Sequence, residues 1–237
     1  MSAARVEPLA WDSGFFGFPI ARIHASQPDR RALEDALEAC RERGVRCAYL
    51  LLDAADARGG EAAQALGFVL RDVRVELERP LAPADAVAAH AADTIVAVGR
   101  ERLPALEALV RERFTSSRFF ADPGFARERC RELYVAFLRR GVDGGAHREL
   151  LAPADDAGCI VCHADPRDGV GTIELVASRR RGVGTALVGA AVARFAQAGM
   201  TSALVVTQAS NVAAQRSYQR AGFRTARSGL WFHRWFD

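Results

Sequence analysis

The chain has 237 residues, is 50% hydrophobic and 26% charged, and carries a formal net charge of +3. That is globular composition, long enough for one large domain or two small ones, and it excludes disordered, fibrous and disulfide-dense classes. Every one of the 32 basic residues is arginine, so no lysine can form a Schiff base or complete a Walker loop, and the mild, interspersed charge does not point to nucleic acid.

No apolar run approaches the roughly 20 residues that span a bilayer, and the start of the chain has no apolar signal core. A cytoplasmic protein with no membrane partner is therefore expected. The five cysteines, Cys40, Cys47, Cys130, Cys159 and Cys162, are odd in number and scattered, as reduced thiols are. Cys159 and Cys162 have the spacing of a redox or zinc pair. They sit in an apolar, strand-like run without a second pair, so a structural role is expected and no metal is assigned.

In chain order, residues 29–44 read as a helix with Leu33, Ala36, Leu37 and Cys40 on one face and Gly44 as its stop. A buried strand is expected at 47–52, a short helix ends at Leu66, and a strand runs over 69–77 with alternate apolar residues. Pro80, Pro83 and an Ala-rich stretch to Ala92 mark a boundary, giving units 1–90 and 91–237. The second unit reads as a strand at 94–98, helices at 103–114 and 126–140 (the latter ending at Gly141), and strands at 149–152, 158–163 and 172–176. A helix at 182–198, a strand at 203–206, a short helix at 212–221 and a terminal hairpin close the chain. The aromatic end of that hairpin, 230–236, reads either as an exposed edge suited to a homodimer or as core. A strand, short helix, Gly-Phe, strand pattern occurs twice, ending in Gly67-Phe68 and Gly222-Phe223. It reads either as two related halves or as two ordinary glycine helix stops.

The chemistry is concentrated in 172–189. An apolar strand passes through Arg179, Arg180, Arg181, Gly182, Val183, Gly184 and Thr185 straight into a helix. Unpaired N–H groups at a helix start, glycines that admit close approach and fixed arginine charge together attract phosphate. A Walker lysine is missing, and the dinucleotide fingerprint fails because position 187 is Leu. Arg-x-x-Gly-x-Gly resembles instead the pyrophosphate loop of the GNAT acetyltransferase superfamily. Downstream, Asn211, Ala214, Tyr218, Gly222 and Phe223 match at the right spacing that superfamily's second hallmark. The resemblance covers roughly 91–237. Three further stretches, 9–18, 117–123 and 230–233, are similar to the dTDP-fucosamine acetyltransferase group, whose members acetylate an amine of a dTDP-amino sugar.

The resemblance implies an α/β (α+β type) GNAT fold, a mixed central sheet flanked by helices, preceded by a truncated GNAT-like half. It implies acetyl-CoA as co-substrate and a small amine acceptor, with a dTDP-amino sugar as one candidate. Backbone groups of Leu175, Val176 and Ala177 would meet the thioester and pantetheine arm, while residues 179–185, Asn211 and Ala214 would complete the cofactor site. Tyr218 would be the general acid to the CoA sulfur; taken alone it would read as a core aromatic. Glu174, polar inside an apolar strand, would take the amine proton or simply face solvent. Asn211 doubles as a helix N-cap. Arg118, Phe119, Asp122 and Trp11 are the acceptor-site candidates, against a surface ion pair and core aromatics. The connection into the Arg-x-x-Gly-x-Gly turn is shorter than is usual in the superfamily. Two alternatives stay open: a GNAT enzyme for another small-molecule or protein amine, and a non-catalytic acyl-CoA-binding protein.

Overall fold

The computed structural model describes residues 4–86 and 94–236. The expected boundary between residues 90 and 91 lies outside them. The first half comprises β1 (Arg5–Pro8), α1 (Ala10–Phe16), β2 (Ile20–His24), α2 (Arg30–Glu42), β3 (Cys47–Asp53), α3 (Ala57–Ala65) and β4 (Val69–Pro80). The second comprises β5 (Ile95–Ala97), α4 (Leu103–Arg113), α5 (Arg127–Asp143), β6 (Arg148–Pro153), β7 (Gly158–His163), β8 (Val170–Ser178), α6 (Val183–Gln197), β9 (Ser202–Gln208), α7 (Val212–Arg220) and β10 (Arg224–Trp235). The strands form one mixed sheet in the order β1-β2-β3-β10-β4-β9-β8-β7-β6-β5. Only β2/β3 and β8/β9 pair in parallel.

The centre of the sheet is a reciprocal exchange. The elements β3–α3–β4 and β9–α7–β10 repeat the same order. β3 pairs with β10 and β9 with β4, while β10 and β4 pair with each other. Each half thus completes its sheet with the other half's last strand. The side chains follow: Phe232 of β10 packs with Leu50, Leu52, Ala63 and Phe68 in the core of the first half. Val75 and Leu77 of β4 pack with Val205, Tyr218 and Phe223 in the core of the second. Glu76, 8% exposed, ties the seam by accepting from Arg74 and Arg227 at 2.7 and 2.6 Å.

Two sequence expectations need correction, and one helix went unread. The terminal 12 residues of β10 form a single strand with a neighbour on each side rather than a hairpin, so they offer no free edge for a dimer. The sheet's edges are β1 and β5. α5 does not stop at Gly141 but runs on to Asp143; Gly141 lies where the helix meets the sheet, and an added Cβ would come within 3.0 Å of Val161 and 3.2 Å of Leu150. The glycine there answers a packing need, not a helix end. Finally, α1 is a helix that the aromatic run concealed. It has no side-chain N-cap bond, and Ser13 holds it to β2 by donating to Leu9 O at 2.7 Å and accepting from Ile20 N–H at 2.9 Å.

All five cysteines are buried and free, Cys159 and Cys162 within β7. Burial lifts the Cys40 and Cys159 thiols to about 11 and about 12. Among the described residues no helix is long and apolar enough to cross a membrane.

Because the central strands are exchanged, the two halves should unfold together. Phe232→Ala is expected to cost about 3–5 kcal/mol and to move a single urea transition read by circular dichroism and tryptophan fluorescence alike. Two separated transitions would contradict a shared cooperative unit.

Candidate active site

The sheet opens between β8 and β9. They pair only over Val170–Ile173 and Ser202–Val205. Beyond that, β8 stays with β7 to Ser178 while β9 stays with β4 to Gln208. The parting begins at a bulge: Ile173 pairs with Cys162 and Leu175 with Val161, so Glu174 is the extra residue. A bulge bends its strand and reverses the faces beyond it. Accordingly Ile173 lies in the core under α6, whereas Leu175 and Ala177 lie in the core under α4 and α5. From Glu174 to Ser178 the edge of β8 that faces β9 has no ladder partner among the described residues.

A cleft of about 440 Å³ fills the opening, lined by Glu174–Ser178, Val205–Gln208 and the starts of α6 and α7. Arg180, Arg181, Gly182, Gly184 and Thr185 border it on one side, and Asn211, Ala214 and Tyr218 on another. Gly182, at φ 88°, turns the chain into α6, and no side chain caps the helix. The first N–H groups of α6 therefore stay open for an anion. Arg179 is drawn off to Glu112 at 3.3 Å and Arg180 to Asp155 at 2.8 Å. Arg181 makes no ion pair among the described residues. Val183 packs against Gly158, where a Cβ would lie 2.7 Å from its Cγ1, which seats the short turn tightly on β7.

Asn211 caps α7, its Oδ1 accepting from Ala214 N–H at 3.2 Å. Tyr218 is 7% exposed, packs edge-on against Phe223 and borders the cleft. Burial lifts its phenol to about 12, so it is protonated throughout the neutral range. Glu174 also borders the cleft, but both of its oxygens accept from Arg148, at 3.0–3.3 Å.

The acceptor-side candidates separate into different layers. Arg113, Phe114, Ser116 and Tyr134 border the cleft, with Phe114 stacked on Tyr134 at 4.2 Å. Arg118 is part-buried, does not line the cleft, and donates to His233 Nε2 at 2.8 Å. Phe119, 7% exposed, is core, packed on Phe16 and Phe125. Trp11 is 45% exposed at the rim, stacked on Phe15 and Phe137. Asp122, expected from its loop to meet the acceptor, is 1% exposed and fully engaged. It accepts from His233 Nδ1 at 2.6 Å, Trp235 Nε1 at 3.0 Å and Gly124 N–H at 3.0 Å. Burial pushes this carboxyl up, but those donors outweigh burial and hold it below its usual range. Arginine can only donate, so His233 accepts at Nε2 and carries its proton at Nδ1. Burial holds this imidazole down at about 4, against the pull of Asp122.

Residues 109–223 match the profile described as "Acetyltransferase (GNAT) family". The chain carries a GNAT acetyltransferase domain, and it is an acyltransferase. It is 28% identical over 233 residues, 98% of each chain, to a dTDP-fucosamine acetyltransferase of Escherichia coli O6:H1. Its fold is similar to that of a conserved protein of unknown function from Staphylococcus epidermidis, with a TM-score of 0.71 at 12% identity, covering 100% of this chain and 93% of that one. A GCN5-related N-acetyltransferase from Sphaerobacter thermophilus gives a TM-score of 0.60 at 17% identity, covering 98% and 76%.

The matched GNAT segment holds β8, α6, β9 and α7, the elements that form the cleft, and also the 117–122 loop. Outside it lie α1, β2, β4 and all of β10, the last three of which supply Arg22, Asp72, Trp231 and His233 around Arg118. Sequence reasoning missed Arg22, Asp72 and His233. The one available signal was His233 itself, a polar residue inside an aromatic strand.

The folded protein protonates His233 near pH 4, the unfolded chain near 6.5. The stability this residue contributes is complete above pH 6.5 and drains away as pH falls to 4. The expected loss is on the order of 3 kcal/mol. His233→Gln, which can still accept from Arg118, should flatten that segment of the stability–pH curve measured by urea unfolding; an unchanged slope would contradict the buried neutral imidazole.

Proposed function

We propose that this GNAT N-acetyltransferase moves the acetyl group of acetyl-CoA to the amine of a nucleotide-activated amino sugar. The observation that carries the cofactor half is the open edge of β8 leading to the uncapped start of α6. The diphosphate fits that helix start, with Arg181 as a nearby cation that has no ion pair among the described residues, and the pantetheine arm fits along Leu175, Val176 and Ala177 as a further strand-like segment. Four arginines, Arg113, Arg180, Arg181 and Arg220, line the cleft against the single carboxylate of Glu174, a balance that favours an anionic cofactor.

Transfer forms a C–N bond at the thioester carbonyl and breaks the C–S bond. N–H groups on the open β8 edge near the bulge stabilise the developing oxyanion. Tyr218 gives its phenolic proton to the leaving sulfur, and the proton lost from the amine leaves on the other side. Glu174 stands at the bulge, but with both oxygens bonded by Arg148 it is a weaker base than a free carboxylate, so its geometry favours a water between it and the amine. The acceptor half rests on the dTDP-fucosamine acetyltransferase relative, which matches this chain over its whole length. It also rests on the cationic, aromatic-walled cluster around Arg118, on the loop that follows the cleft-lining Ser116.

Tyr218→Phe is expected to lower kcat by about a hundredfold or more while the Kd for acetyl-CoA, measured by calorimetry, stays within about threefold. Unchanged turnover would remove Tyr218 from the acid role. Steady-state assays across dTDP-amino sugars, polyamines, aminoglycosides and peptide N-termini test the acceptor; the highest kcat/KM is expected for a dTDP-amino sugar, and preference for another amine would overturn the reading.

A further inference from the structure

The face of the sheet under the 117–122 loop is built on register. Arg22, Tyr49 and His233 stand in one row across β2, β3 and β10. Leu51, Trp231 and Asp72 stand in the next, across β3, β10 and β4. Arg118 descends onto these rows from its loop. Its guanidinium lies 4.3 Å from the Trp231 ring centre, 4.2 Å from that of Tyr49 and 4.1 Å from that of Phe119. Arg22 lies over the same indole, at 5.0 Å.

These two cations have donors to spare. A guanidinium carries five N–H groups, yet among the described residues the side chain of Arg118 bonds only His233. The Nε of Arg22 is buried with no partner. Neither guanidinium makes an ion pair within 4.0 Å among the described residues, whereas the half-buried Arg71 and Arg74 of β4 do, with Asp122 at 3.4 Å and Glu76 at 2.7 Å. The carboxylates that face them are Asp12 of α1 and Asp72 of β4. Burial lifts the Asp72 carboxyl, against the pull of the Val73 and Arg118 backbone N–H groups and of the Arg118 charge. Two like charges share one indole, and burying them without an anion is costly. His233, held by Asp122, fixes one edge of Arg118 and leaves its remaining donors without a side-chain partner among the described residues.

We propose that Arg22 and Arg118 form a two-arginine oxyanion site that grips a phosphate or diphosphate carried by the amine acceptor. The site adjoins the cofactor cleft. Ser116 borders that cleft two residues before Arg118, and Val73, next to Asp72, accepts from Ala209 N–H at 2.7 Å just past the cleft-lining Gln208. Paired guanidiniums present flat, multidentate donors that match phosphate oxygens. The inference rests on the acceptor reading above and names the group by which the enzyme holds that acceptor.

Calorimetry with thymidine diphosphate and with inorganic pyrophosphate tests it. Saturating coenzyme A is present throughout, so that the helix-start anion site is filled. The wild-type protein should bind both probes, and Arg118→Lys and Arg22→Gln should each weaken binding by about tenfold or more without changing coenzyme A affinity. Either variant should also lower, by about tenfold, the kcat/KM preference for a nucleotide-linked amino sugar over its phosphate-free counterpart. Arg22→Gln, at a half-buried position, carries the test if Arg118→Lys fails to fold. Absence of probe binding, or binding that neither variant weakens, overturns the site. Probe binding that requires both arginines in a protein that acetylates no amino sugar would keep the oxyanion site and sink the amino-sugar acceptor. Amino-sugar acetylation that is indifferent to both substitutions would do the reverse.

Discussion

β4 and β10 lie side by side at the middle of the sheet, each contributed by one half of the chain and each flanked by a strand of the other. The rest of the molecule is arranged around that pairing. Tyr218 and Phe223 pack against Val75 and Leu77, which belong to the first half, so the wall of the cleft between β8 and β9 depends on residues far upstream. Phe232 and Phe236, at the end of the chain, complete the core under α2 and α3. Glu76 is buried at the crossing with a guanidinium on either side, which makes the seam an ion-paired joint between apolar cores. An ion triad of this kind contributes less than its charge suggests, since desolvation offsets much of the attraction, but removing one member leaves a buried charge unpaired.

A second constraint acts at Glu174. One extra residue in β8 turns Leu175 and Ala177 to the face opposite Ile173 and frees the strand edge. The opposite side of the opening is held by local bonds: Gln215 donates to the carbonyls of Gln208 and Ala209 at 3.2 and 2.8 Å, and Asn211 caps α7. The cleft is thus propped open by backbone geometry on one side and by side-chain bonds to backbone on the other. Neither depends on a ligand, which is what preorganised binding requires.

Most of the second half was legible in the sequence because its signals are local. Helix periodicity located α4, α6 and α7 to within a few residues, and a glycine-arginine turn before a helix has one plain electrostatic meaning. Sheet order was not legible, because nothing in the alternation of β10 says that it has neighbours on both sides or that they come from residues 47–53 and 69–80. A terminal strand and a terminal hairpin share the same alternation. The bulge was hidden too, so Glu174 read only as a polar residue in an apolar run. Around Arg118 the difficulty was distance: Arg22, Asp72 and His233 come together from three strands separated by up to two hundred positions, and only the register joins them. Asp122 stood in a loop whose residue types suggest exposure, yet it is buried under His233 and Trp235.

The buried cysteines bear on how such chemistry can be watched. Each acetyl group transferred releases one coenzyme A thiol, and its appearance is the natural optical signal of turnover. Cys40, Cys47, Cys130, Cys159 and Cys162 are all enclosed, and burial keeps every one of them in the unreactive protonated form. A chromogenic disulfide reagent therefore meets a silent protein background while the fold is intact, and the same reagent becomes a reporter of the opened chain once it is not.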